Sequence, residues 1–225
     1  VRRRLQPGGS AAHLNGCAER RKTGLRKVQL TPMDSSSGGH PAGQCPAGQY
    51  AVVAYIPEPL GSYLSAMRSE LVPGCALRSH ITVLPPRRLA ATAEALSAEI
   101  ERLALNVPAF EVALGEVEVF SSTGVIYLAL SSGRQSVEQA HAALNHGILF
   151  ADDAFPFHPH VTIAQNLGAA PFEEVLAAAR RRWQECPWPR HFAVEELVLV
   201  RSAAPDSWED LSRHSLAQVS LLRTA

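Results

Sequence analysis

Two stretches of this sequence place the same residue types at the same spacing: His80-Ile81-Thr82-Val83 and His160-Val161-Thr162-Ile163. Each reads histidine, apolar, threonine, apolar. An imidazole titrates near neutral pH, so one histidine can take a proton while the other gives one. A threonine hydroxyl donates a hydrogen bond and can hold a non-bridging phosphate oxygen. Two such pairs facing each other suit in-line displacement at a phosphodiester without a metal. One imidazole deprotonates the attacking water or hydroxyl, and the other protonates the leaving oxygen. Each proton transfer of this kind supplies ~10²–10⁴-fold; positioning and charge stabilisation supply the rest.

For these groups to meet, each quartet must be a strand. Side chains alternate along a strand, so His80 and Thr82 share one face while Ile81 and Val83 point to the core, and His160 and Thr162 do the same in the second copy. Each copy is followed by an amphipathic helix, which predicts a duplicated half with two facing lobes. Around the motifs, apolar patterning predicts strands at 50–56, 79–84, 109–119, 124–130, 158–164, 191–201 and 215–221. Pro85-Pro86 is expected to end the second of these. Helices are predicted at 60–71, with Pro59 near its start and Pro73-Gly74 as its stop, and at 91–105, 134–149 and 171–183. Pro171, Glu173 and Glu174 at one end of the last helix and Arg180, Arg181 and Arg182 at the other complement its dipole. Several connections are short and hairpin-like, so the fold class is α+β with largely antiparallel sheet.

The 225 residues, 46% hydrophobic and 19% charged, have globular composition, which excludes a collagenous or wholly disordered chain. No apolar run approaches the ~20 residues of a membrane span, so no membrane partner is expected. The basic start Val1-Arg2-Arg3-Arg4 is not followed by an apolar segment of the kind a secretory signal needs. Cys17, Cys45, Cys75 and Cys186 lie far apart with no C-x-x-C pair, which fits reduced cytosol and a cytoplasmic location rather than a zinc ribbon or disulfide scaffold. The net charge of zero hides an asymmetry: residues 1–32 carry eight basic side chains and one acid, and the remainder is acidic. This arm can be read as a nucleic-acid contact. The abrupt change at Met33-Asp34-Ser35 and the initial Val favour a flexible tail, or a stretch translated from a start site placed too early. With the Ser/Gly/Pro-rich stretch that follows, residues 1–48 are expected to be a disordered tail and 49–221 the folded domain. An acidic domain suits a nucleic-acid end or a small nucleotide rather than a long backbone.

The paired motifs, in SHITVLPPR at 79–87 and FHPHVTIAQ at 157–165, resemble the 2H phosphoesterase superfamily, and more closely its bacterial 2′-5′ RNA ligase-like branch. The resemblance spans about 50–219, with EELVLVRS at 195–202 and Trp208-Glu209-Asp210-Leu211 as its closing part. It implies a bilobal fold with a pseudo-two-fold, two largely antiparallel sheets lining a central cleft and helices outside. It implies metal- and cofactor-free action on 2′,3′-cyclic phosphates or 2′-5′ linkages of nucleotides or RNA, including reversible 2′-5′ ligation. The catalytic residues carry over to His80 and His160, and the phosphate-binding hydroxyls to Thr82 and Thr162. Relatives that make a 2′-phosphate assign His80 as acid and His160 as base. The expected partner is a nucleotide or an RNA terminus with a cyclic phosphate, and the expected state is a monomer.

Other residues carry two readings each. Arg87, with Arg88, can reach a phosphate or be a solvated loop charge. Tyr127 can stack on a base or pack in the core. His158, two before His160, is a further substrate-contact candidate, and its H-x-H spacing with His160 also allows a metal hydrolase; no third ligand stands at recognisable spacing, so no metal is expected. His141 reads as a satisfied core histidine, His146 as a helix C-terminal charge, and Asp152 and Asp153 as solvated loop acids or orienters of an imidazole. A cleft that holds a nucleotide phosphate without turning it over is the alternative from another class.

Overall fold

The computed structural model describes residues 48–218, apart from 154, 169, 205 and 206. All but the last residue of the tail expected at 1–48, and residues 219–221 of the strand expected at 215–221, lie outside the described residues. Eight strands and four α-helices run in the order β1 (Tyr50–Tyr55), α1 (Leu60–Leu71), β2 (His80–Arg87), α2 (Ala93–Ala104), β3 (Phe110–Phe120), β4 (Val125–Ser132), α3 (Arg134–Leu144), β5 (His160–Ala164), α4 (Phe172–Gln184), β6 (His191–Val194), β7 (Glu196–Ala204) and β8 (Ser207–Ser215), with a 3₁₀ turn at Gly147–Leu149. They form two antiparallel four-stranded sheets, ordered β2-β1-β7-β8 and β5-β4-β3-β6. Each sheet contains a strand–helix–strand unit, β1-α1-β2 in one and β4-α3-β5 in the other. In each unit the motif strand is the outer one, and the two edge strands, β2 and β5, approach each other. The α+β class and the bilobal antiparallel architecture are therefore as expected.

Alternation decides the faces. Val52, Ala54, Ile81, Val83, Ile126, Leu128, Val161 and Ile163 enter one continuous core beneath the helices. Their neighbours turn to the other side of the sheets. Ala51, Val53, Val198 and Val200 form a smaller apolar cluster there, with Tyr55 and Trp208 against it. The buried stripe of α1 is Leu60, Leu64 and Met67, joined by Arg68. A Cβ at Gly61 would sit 2.2 Å from the Ile56 carbonyl oxygen. Glycine there lets α1 lie tight against the end of β1 and fixes where Arg68 lands.

Four expectations are corrected. Strand β2 runs through Pro85-Pro86 to Arg87 instead of stopping at Leu84, because it is an edge strand and forms its ladder on one side only. The helix expected at 134–149 stops at Leu144; the turn that follows buries Leu149 and leaves Ile148 exposed. The single strand expected at 191–201 is two strands in different sheets: β6 pairs with β3 and β7 with β1, the chain crossing over at Glu195. Among the described residues the last strand is β8 at Ser207–Ser215, earlier than the one expected at 215–221, and Ala217 makes only an isolated bridge to Pro108. Most residues of β8 are polar or exposed, as suits an edge strand, so apolar patterning does not reveal it.

Candidate active site

The two motifs meet in a cleft of about 1250 Å³ lined by His80, Thr82, His160 and Thr162. Their placement is symmetric. On β2, His80 stands opposite Tyr55 and Thr82 opposite Val53; on β5, His160 stands opposite Ala129 and Thr162 opposite Tyr127. Nδ1 of His80 lies 2.7 Å from the carbonyl oxygen of Arg78, and Nδ1 of His160 lies 2.7 Å from that of His158. A carbonyl only accepts, so in both rings Nδ1 is the donor, and the neutral imidazole keeps its lone pair on Nε2. Each motif thus orients its own histidine through the backbone two residues upstream.

The electrostatics favour neutral rings in the cleft. Burial pushes His80 down to about 4; its bond to the Arg78 carbonyl opposes this, and the charges of Arg68, His160 and Arg78 reinforce it. Burial also lowers His160, against its bond to the His158 carbonyl and with help from His158 and Arg68. His158 is lowered by burial and then by the Arg134 guanidinium, whose two nitrogens lie 3.4 Å from its ring nitrogens.

The remaining expected site residues fall differently. Arg87 lines the cleft and is buried and fully engaged, not a solvated loop charge. Its Nε donates to the Pro85 carbonyl, Nη1 to Asn145 and the Leu149 carbonyl, and Nη2 to Asp153 at 2.9 Å. The other Asp153 oxygen lies 3.1 Å from Nε2 of His141, whose Nδ1 donates to the Val83 carbonyl. Asp153 therefore holds the loop ahead of the second motif against β2 instead of solvating itself or orienting a motif imidazole. His141, stacked on Phe157, is satisfied as expected. Tyr127 is buried, donates to Glu118 at 2.9 Å and is covered by Phe120, so its own face is not open to a base. His158 lines the cleft near His160, their ring centroids 6.3 Å apart. A cation shared by these two rings would lie beside Arg134, and among the described residues no three His, Cys, Asp or Glu side chains gather as a metal group.

Three cleft residues escape sequence reasoning. Phe120 presents a ring to the cleft, with Tyr127 packed behind it as the core reading of that residue has it. Trp208 stands on the opposite sheet and reads in sequence only as part of a closing stretch. Arg68 is 3% exposed and reaches from α1 to the Thr162 carbonyl. Its signal was available: it sits four residues after Leu64 and next to Met67, on the stripe that must be buried.

This architecture defines the two-histidine phosphoesterase class. The chain belongs to the 2′-5′ RNA ligase superfamily, which matches residues 57–206. Solved structures agree at the level of fold. Apo LigT of E. coli superposes with a TM-score of 0.53 at 18% identity, covering 76% of this chain and 98% of that one. A protein described as a phosphoesterase gives 0.54 at 20%, covering 76% and 99%, and TT0787 of Thermus thermophilus gives 0.52 at 18%, covering 76% and 99%. No curated protein matches the sequence. Among the described residues, no helix is long and apolar enough to cross a membrane.

Proposed function

We propose that this protein is a metal-independent phosphodiesterase acting on 2′,3′-cyclic phosphates or 2′-5′ linkages of nucleotides or RNA ends, by general acid–base catalysis from His80 and His160. The observation that carries this reading is the matched pair of Nδ1-to-carbonyl bonds, which leaves the Nε2 of each imidazole free to exchange a proton in one cleft. In the hydrolytic direction, Nε2 of His160 takes a proton from water as its oxygen attacks phosphorus. The bond from phosphorus to the 3′ oxygen breaks, and protonated His80 gives its proton to that oxygen. Cyclic phosphate and water become a 2′-phosphomonoester and a free 3′ hydroxyl. The reverse direction exchanges the two roles. Thr82 and Thr162 donate to the non-bridging oxygens as charge develops on them. Crystal structures of E. coli LigT hold 3′-AMP and phosphate, which supports a nucleotide phosphate as the ligand class. Residues 49–221 act as one domain and, in this reading, as a monomer.

The test is product analysis on a panel of 2′,3′-cyclic nucleotides, 2′-5′ dinucleotides and short RNAs with cyclic ends, with a chelator present. Turnover to 2′-phosphates fits the reading. Nucleotide binding with no product from any of them would instead favour a pure binding cleft.

A further inference from the structure

Arg68 is an expensive residue where it stands. Its side chain is almost wholly buried, yet among the described residues no carboxylate lies within ion-pair distance. Among the described residues its side chain makes one hydrogen bond, a long contact of 3.4 Å from Nη1 to the Thr162 carbonyl, and its buried Nε has no partner. Burying a lone cation and an unsatisfied donor destabilises a fold unless something supplies the missing negative charge. The other buried arginine among the described residues, Arg87, has its counter-charge in Asp153. The uncompensated one lines the cleft, against the backbone of the second motif, with His80 and Thr82 on the facing strand.

We propose that Arg68 is the fixed counter-charge of the cleft, a positioning residue whose buried guanidinium draws the phosphodiester between the two histidines and is compensated by it. This rests on reading the cleft as a phosphate site. Arg68 comes from α1 of one lobe and is tethered to β5 of the other, so its charge spans the two lobes at the cleft. The charged and titratable groups around the imidazoles are Arg68 itself, Arg78 before β2, His158 before β5 and Arg134 on α3. Tyr55 and Asp210, bonded to each other, line the cleft, Tyr127 bonds Glu118 beside His160, and Asp152 and Asp153 line the cleft from the loop before β5, with Asp153 paired to Arg87. Asp210 is also paired with Arg78 and Arg213, and at both His80 and His160 the charge of Arg68 acts against protonation. Arg68 thereby opposes protonation of both histidines until an anion arrives, which couples ligand binding to arming of the acid.

The test uses the full chain, with inorganic phosphate as the ligand, and reads affinity by calorimetry, Tm, and histidine midpoints by NMR. In Arg68→Met a similar volume replaces an uncompensated charge, so Tm should hold or rise. Phosphate affinity should fall about tenfold or more, and the midpoints of His80 and His160 should move up. Arg68→Lys, which keeps the charge, should recover much of the affinity. Unchanged phosphate affinity in a folded Arg68→Met would overturn the proposal, and so would an Arg68→Met that no longer folds, since Arg68 would then be a structural clamp. Turnover is not the readout: phosphate binding lost in Arg68→Met supports the counter-charge even if no phosphodiester is cleaved, and unchanged binding beside intact turnover defeats it alone.

Discussion

Phe120 lies stacked on Tyr127, with ring centroids 4.0 Å apart and planes 19° from parallel. Both motif-side histidines of that lobe meet Phe120 edge-on, His158 at 5.1 Å and His160 at 5.0 Å. The stack fixes an aromatic surface beside the base-bearing end of the reaction centre. Replacing Phe120 with Ala is expected to weaken nucleotide ligands by about 1–3 kcal/mol, the worth of one base–aromatic stack, while leaving inorganic phosphate unaffected. Competition binding with 3′-AMP and with phosphate checks this. Equal losses for both ligands would mean that the ring supports the phosphate site rather than a base.

The Arg87–Asp153 pair has a structural role, and mutation should say so. Asp153→Asn keeps the shape and leaves Arg87 short of its counter-charge. The expected cost is about 3 kcal/mol, or roughly 6–12 °C in Tm, with phosphate affinity of the folded protein unchanged. Thermal unfolding with and without phosphate measures both. A stable variant that binds phosphate poorly would return Arg87 and its loop to the binding site.

Acid should destabilise this fold before the carboxylates titrate. An unfolded histidine protonates near 6.5 and His80 in the cleft at about 4. Between those values the unfolded chain holds a proton that the folded chain refuses. Stability therefore rises with pH across the window and is lost as pH falls through it, by at most about 3 kcal/mol from His80. The lowered His160 and His158 act in the same direction. Urea unfolding at pH 7 and pH 5 should show the loss, and His80→Gln should flatten it. An equal slope in the variant would contradict a neutral His80.

The acid and base roles separate by leaving group. An ester whose leaving oxygen needs no proton, such as a p-nitrophenyl phosphodiester, should be turned over by His80→Ala far better than the natural linkage. His160→Ala should lose about 10²–10⁴-fold on both. The opposite pattern would exchange the two assignments.

The motif histidines were legible in the sequence because strand alternation is a local rule. His80 and Thr82 need only two residues of regular strand to share a face, and the second copy repeats the statement. Most of the helices were legible for the same reason, since their apolar stripes and breakers are local, but the stripe of α3 runs on past its stop at Leu144. What was hidden depends on distance in the chain. Arg87 and Asp153 are 66 positions apart, and nothing near Arg87 announces that it will be buried. The run at 191–201 reads as one apolar strand, and only the two-sheet topology shows that it must break at Glu195. Tyr127 was read as a base platform or core; its covering by Phe120 depends on the hairpin register that sets Glu118 opposite Tyr127.

Two imidazoles acting on one phosphodiester are the core of the proposed chemistry. The most direct measurement is steady-state turnover of a 2′,3′-cyclic nucleotide by the wild-type protein, His80→Ala and His160→Ala, with circular dichroism and Tm as controls for folding. The expected result is wild-type turnover that each folded variant loses by at least about 10²-fold. Wild-type rates in either folded variant would contradict two-histidine catalysis in this cleft.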